Sequence, residues 1–88
     1  MEILKNAVAG TMESSDAYVE IEPATGLTIQ LESVVQDAFG DSIRAVVEEV
    51  LAENGVDGAN VRVIDRGALE CVIRARVETA ICRGKGEA

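Results

Sequence analysis

Ser14 and Ser15 are the residues on which chemistry is most readily placed, because they stand together in the small, polar stretch Ala9-Gly10-Thr11-Met12-Glu13-Ser14-Ser15-Asp16. Gly10 tolerates the positive φ of a tight reversal, and Ser14, Ser15 and Asp16 have short side chains that bond to nearby backbone. The stretch therefore reads as an exposed hairpin tip that presents the Ser14 hydroxyl to solvent. The chain contains no histidine, so a Ser-His or Cys-His nucleophile, histidine acid–base catalysis and a histidine metal site are all excluded. A hydroxyl without a base is not a turnover nucleophile. It is either an ordinary turn serine or the acceptor for a group delivered by an external transferase.

The other reactive residue types offer less. Cys71 and Cys82 are the only cysteines, and in a reducing compartment they read as small buried hydrophobes with no basic partner to activate them. On a strand reading they fall on opposite faces and do not pair, so slow alkylation is expected, Cys82 the faster. Glu48 and Glu49 are adjacent on a helix and point apart, and no Asp-x-Asp-x-Asp-Gly loop is present, so no metal site is assigned. Arg74 and Arg76 read as a solvated face pairing with Glu70 and Glu78, and Glu13 and Asp16 as turn formers. No catalytic residue is assigned.

Composition narrows the partners. Sixteen acidic against eight basic residues give a net charge of −8, which repels phosphate backbones and anionic lipid. Tyr18 and Phe39 are the only aromatic residues, so the core is aliphatic and there is no platform for stacking bases. No apolar run approaches the roughly 20 residues of a membrane span, and Met1-Glu2-Ile3-Leu4-Lys5 lacks a signal segment, so a cytoplasmic location is expected. At 88 residues the chain, 1–88, is expected to be a single domain with little core to spare for an internal site.

The elements that must position Ser14 are read from periodicity. Ala7–Met12 reads as the first arm of the hairpin. Ala17, Val19 and Ile21 alternate with Tyr18, Glu20 and Glu22 up to Pro23, and after the turn Ala24-Thr25-Gly26, Leu27, Ile29 and Leu31 alternate with Thr28, Gln30 and Glu32. An antiparallel pair of these two strands is expected. Ser33 and Gln36 have capping-box spacing, and Val35, Phe39, Ile43, Val46, Val47, Val50 and Leu51 then repeat as a helix that Asn54-Gly55 ends, with a kink or break expected at Gly40-Asp41. Asn60–Asp65 is a strand, and Asp65-Arg66-Gly67 has the composition of a hairpin turn. Leu69–Cys82 fits both an odd-position strand face and the helical stripe Leu69, Val72, Ile73, Val77, Ala80 and Ile81; its β-branched residues favour the strand. The expected fold is α+β, a mostly antiparallel sheet with one long helix on one face, in the order β-β-β-α-β-β with the last element open to a helical reading. The link through the helix is expected to be a right-handed crossover.

Residues 9–16, together with Val35, Phe39-Gly40-Asp41-Ser42-Ile43-Arg44, Asp65-Arg66-Gly67-Ala68-Leu69-Glu70-Cys71 and Ile73-Arg74-Ala75-Arg76-Val77-Glu78, resemble in order and spacing the acyl carrier protein, or gamma subunit, of citrate lyase. The likeness runs along nearly the whole chain. It implies that the serine after Glu13, Ser14, carries a phosphoribosyl-dephospho-coenzyme A arm through a phosphodiester. Some members of the family have Gly where this chain has Ser15, so two hydroxyls stand side by side here, and Glu13 aligns the motif on Ser14. The resemblance further implies that the arm bears an acyl thioester, that an alpha subunit exchanges acetyl for citryl on it, and that a beta subunit cleaves citryl-carrier to oxaloacetate, regenerating acetyl-carrier. The chain would then be non-catalytic, with those subunits and a prosthetic-group transferase as partners. Two alternatives stay open: the acyl carrier subunit of malonate decarboxylase, and an unmodified α+β interaction module.

Overall fold

The computed structural model describes residues 2–34 and 36–86, the side chains of 36–39 excepted. In chain order the elements are β1 (Ala7–Gly10), β2 (Ala17–Pro23), β3 (Leu27–Ser33), α1 (Gln36–Glu53), β4 (Ala59–Asp65) and α2 (Glu70–Gly84). The α+β class stands, with both helices on one face of a four-stranded sheet ordered β1-β2-β4-β3. The β1–β2 and β2–β4 pairs are antiparallel and β3–β4 is parallel, so the sheet is mostly antiparallel as expected.

The predicted β2–β3 pair does not form. β4 lies between them, with Val19 opposite Val63 on one side and Ile29 opposite Val61 on the other. The reason is burial: Val61, Val63 and Ile64 are all buried, whereas β3 leaves Leu27 exposed and Ile29 and Leu31 only half-buried, so β4 takes the centre and β3 an edge. The loop between β2 and β3 passes over the end of β4, where the Ala59 amide donates to the Gly26 carbonyl at 2.9 Å.

Helix α1 buries Ile43, Val46, Val47, Val50 and Leu51, the predicted stripe; Val35 and the Phe39 side chain lie outside the described residues. It runs through Gly40 and Asp41 without the expected break. Ser33 ends β3 and donates to Asp65 Oδ2 at 2.8 Å, while the Gln36 half of the predicted capping box lies outside the described side chains. The predicted stop is formed by two capping bonds: Gly55, at φ 69°, donates to Ala52 O at 3.0 Å, and Val56 donates to Leu51 O at 2.9 Å. This is a Schellman motif, completed by the buried Val56 packing with the helix it closes.

Residues 70–84 form a helix, so the helical alternative for this segment holds and the strand reading falls. Asp65 decides the matter locally. Its buried carboxylate accepts from Gly67 N at 3.2 Å and Ala68 N at 2.8 Å, folding Asp65-Arg66-Gly67 into a lead-in to α2 where a hairpin was expected. The helix then buries Ile73, Val77, Ala80, Ile81 and Gly84, a stripe that rests on β1, β2 and α1. Each fully buried aliphatic side chain contributes about 1.5–3 kcal/mol, which outweighs the small penalty of β-branched residues in a helix. Ala17, Val19, Ile21, Val61 and Val63 form the facing wall of this core. On the open face Arg62 donates to Glu20 at 2.8 Å and Asn60 to Glu22 at 3.0 Å.

Cys71 and Cys82 are both exposed, against the expectation that they are buried. Eleven residues apart on a helix, they fall within about 20° of one face and about 16 Å from each other along the axis. Both thiols are therefore expected to alkylate rapidly and at similar rates in the native protein, with no intramolecular disulfide. Mass-resolved labelling checks this, and slow reaction of either thiol would contradict the helix placement.

Candidate functional site

The hairpin arms predicted on either side of Ser14 are present, although the first is shorter, ending at Gly10 and not Met12. β1 and β2 pair from Ala7 opposite Ile21 to Gly10 opposite Tyr18, leaving residues 11–16 as the connecting tip. Gly10 adopts φ 85°. A Cβ there would sit 1.9 Å from the Ala17 carbonyl oxygen and 3.0 Å from Arg76 Cδ, so only glycine fits where the chain leaves the sheet.

Within the tip, Asp16 N donates to Glu13 O at 3.1 Å, closing a turn with Ser14 and Ser15 at its centre. Ser15 takes φ 68°, alone among the described non-glycine residues in the left-handed region. Its amide donates to Arg66 O at 2.8 Å and Arg66 N donates back to Asp16 O at 3.0 Å, so the loop before α2 backs the turn. Ser14 and Ser15 are both exposed, and neither hydroxyl has a hydrogen-bond partner among the described residues. The two serines differ in backbone role: Ser15 occupies the conformation that glycine adopts freely, whereas Ser14 carries no such demand. Ser15→Gly is accordingly expected to leave the fold unharmed and raise stability by up to about 1 kcal/mol, the left-handed penalty less the entropy of glycine. A thermal melt checks it; a loss of stability would show that the Ser15 side chain holds the turn.

Asp16 is the hub of the site. Its Oδ2 accepts from Thr11 Oγ1 at 2.7 Å and from Arg76 Nη2 at 3.3 Å, and its Oδ1 from Ala17 N at 2.7 Å and Arg76 Nε at 3.0 Å. The Thr11 hydroxyl, the Arg76 guanidinium and the Ala17 amide together hold this carboxyl far below the usual carboxylate range, so it stays ionised throughout physiological pH. Thr11 Oγ1 also accepts from Glu13 N at 3.2 Å, which ties the two sides of the tip together.

Sequence reasoning places Ser14 on the tip but misses Thr11, Arg66 and Arg76 as its supports. On a strand Arg76 stands beside Glu78; on the helix it reaches Asp16. Arg74 likewise crosses to α1, bonding Glu49 at 2.6 Å with Glu53 and Glu70 nearby, and the Glu49 contact pushes its pKa further up. The helical stripe at 69–81 is the signal that, carried through, turns both arginines toward these partners. The same end of the molecule exposes Met12, Val34 and Leu69, at 47%, 63% and 71%. Among the described residues no group of His, Cys, Asp or Glu is arranged to hold a metal ion, and no helix is long and apolar enough to cross a membrane.

The family model ACP, described as malonate decarboxylase delta subunit, matches residues 4–84. A chain in the crystal structure of a Pseudomonas malonate decarboxylase hetero-tetramer in complex with malonate superposes with a TM-score of 0.79, covering 94% of this chain and 87% of that one; at 23% identity it shows the fold. Fold and family model together define an acyl carrier protein. Citrate lyase acyl carrier protein from Escherichia fergusonii is 52% identical over 85 residues, 94% of this chain and 88% of its own. Those of Haemophilus influenzae (51% over 87 residues, 99% and 92% covered) and Streptococcus uberis (49% over 87 residues, 98% and 86%) are comparably similar. The chain belongs to the citrate lyase acyl carrier protein family.

Proposed function

We propose that this chain is the acyl carrier subunit of a citrate lyase and that Ser14 bears its prosthetic group, a phosphoribosyl-dephospho-coenzyme A joined through a phosphodiester. Identity of about half over nearly the whole chain supports the first statement. The observation that carries the second is an exposed hydroxyl, without a partner among the described residues, at the centre of a turn fixed from three sides. Such a hydroxyl fits the chemistry of the group: a transferase with its own base removes the Ser14 proton as the oxygen attacks the phosphorus of a phosphoanhydride-activated precursor. The new oxygen–phosphorus bond forms while the anhydride bond breaks and its outer phosphate leaves, and the chain's residues need only present the oxygen. When attached, the arm supplies a terminal thiol on which an acyl group rides as a thioester.

The 88 residues act as one carrier domain and leave bond-breaking to alpha and beta subunits, consistent with a chain that has no histidine. Tethering gives the acyl group an effective concentration on the order of millimolar at each partner's site without dissociation. The acidic balance of −8 favours encounter with basic surfaces there, in the cytoplasm where such an assembly would work. The malonate decarboxylase reading rests on the family model and the fold match, and the identity at 23% is less than half that to the citrate lyase carriers.

Reconstitution tests the choice. Protein coexpressed with its modifying enzymes is expected to restore citrate-dependent oxaloacetate formation to citrate lyase alpha and beta subunits lacking their carrier. Restoration of malonate decarboxylation by a carrier-depleted malonate decarboxylase, and not of citrate cleavage, would reverse the assignment.

A further inference from the structure

We propose that Arg76 is a positioning residue for the attachment step: through Asp16 it locks the tip so that a transferase meets the Ser14 hydroxyl in one conformation. The inference rests on Ser14 being the attachment site. Arg76 stands 60 residues from Asp16 in sequence and reaches it from α2 with two donors, Nε to Oδ1 at 3.0 Å and Nη2 to Oδ2 at 3.3 Å. This fork matches a carboxylate in a way that a lysine ammonium does not. The stem of Arg76 also runs alongside Gly10, with Cδ 3.0 Å from where a Cβ would stand, so one side chain lies beside both ends of the tip. One face of α2 repeats the device two turns on, where Arg83 Nη1 donates to Val8 O at 2.8 Å in β1. The hairpin that carries Ser14 is thus fastened to α2 at its tip and along its edge.

The remaining contacts of the tip are not equivalent to this one. Thr11 and the Ala17 amide bond Asp16 from within the same hairpin, and the Arg66 bonds join backbone to backbone. Among the described side chains, only Arg76 joins the Asp16 carboxylate to an element outside the hairpin. Its side chain is 39% exposed and that of Asp16 16%, so the pair is sheltered enough to hold but open enough to be released without collapse of the core.

The test compares wild type, Arg76→Ala, Arg76→Lys and Asp16→Asn, using purified transferase, the activated prosthetic-group precursor and intact mass as the readout, with 15N relaxation of the apo proteins alongside. Arg76→Ala is expected to lower kcat/KM for modification at least tenfold, chiefly through KM, and to increase fast motion at residues 13–16. Arg76→Lys should recover only a minor part, because charge without the fork does not fix the carboxylate. Combining Arg76→Ala with Asp16→Asn should add little to either alone. A folded Arg76→Ala modified within twofold of the wild-type rate, or a tip whose relaxation is unchanged, would overturn the proposal. Should Arg76→Ala fail to fold, the lysine and Asp16→Asn variants carry the same two readouts. If the wild-type group maps to a residue other than Ser14, the site reading fails by itself, while relaxation at 13–16 still decides whether Arg76 orders the tip.

Discussion

Ser14→Ala is expected to abolish attachment of the prosthetic group completely while leaving the melting temperature of the apo protein within about 4 °C of wild type. The asymmetry follows from where the hydroxyl stands. It is exposed and bonds to nothing among the described residues, so its removal costs the fold at most about 0.5 kcal/mol. Yet without that oxygen no phosphodiester forms. Ser15 offers a second hydroxyl one residue on, but its left-handed backbone and its amide bond to Arg66 aim it differently, and it is not expected to substitute. Coexpression with the modifying enzymes, followed by intact mass and peptide mapping, reads the outcome directly. A group found on Ser15, or retained in Ser14→Ala, would move the site by one residue.

The opposite pattern is expected of Gly10→Ala, a change of one methyl group with a large effect on the fold. The new Cβ would lie 1.9 Å from the Ala17 carbonyl oxygen, at a backbone φ of 85° that side chains rarely adopt. Backbone cannot yield to that contact as a flexible side chain would. Strain and lost pairing together cost about 3 kcal/mol or more, a fall in melting temperature of about 15 °C for a domain of this size. A fall of less than about 5 °C, near the effect of a single kcal/mol, would mean that β1 re-registers freely. The tip would be displaced with it, so any folded fraction is expected to be a poor substrate for the transferase.

Much of this is legible in the sequence where one period dominates. The alternation Ala17-Val19-Ile21, the stripe Ile43–Leu51 and the Asn54-Gly55 stop each read out as built, because local chemistry and tertiary packing ask for the same thing. Residues 69–82 carry two periods at once. Their β-branched residues argue for a strand, and the arbiter is Asp65, whose carboxylate takes the Gly67 and Ala68 amides and turns the chain toward a helix. Composition marks a turn there but is silent on the type of the next element. One wrong assignment carries others with it: with 69–82 on a strand, Arg76 faces solvent and the cysteines are divided between faces. Placed on a helix, Arg76 meets Asp16 and both cysteines face outward. The order of strands is illegible for another reason. Adjacent alternating runs joined by Ala24-Thr25-Gly26 look like a hairpin, and only the greater burial of β4 shows that it belongs between them. Ser14 can be found because exposure and small polar neighbours are local properties, whereas Arg66 and Arg76 come to it from distant parts of the chain.

That β4, the interior strand that joins β2 to β3, is the fifth of six elements bears on how the protein comes into being. As the chain leaves the ribosome, β2 and β3 wait as two ribbons without the partner that joins them, and β3 has no strand to pair with until residues 59–65 arrive. The β1–β2 hairpin is then still missing α2, and an isolated hairpin is marginal in water. Assembly is therefore all-or-none and late. It depends on closing distant segments, so folding in milliseconds to seconds is expected, slower than for helical bundles of similar length. A transferase meeting the nascent chain would find a loose loop; the turn that presents Ser14 is fastened to α2 only once residue 76 is in place.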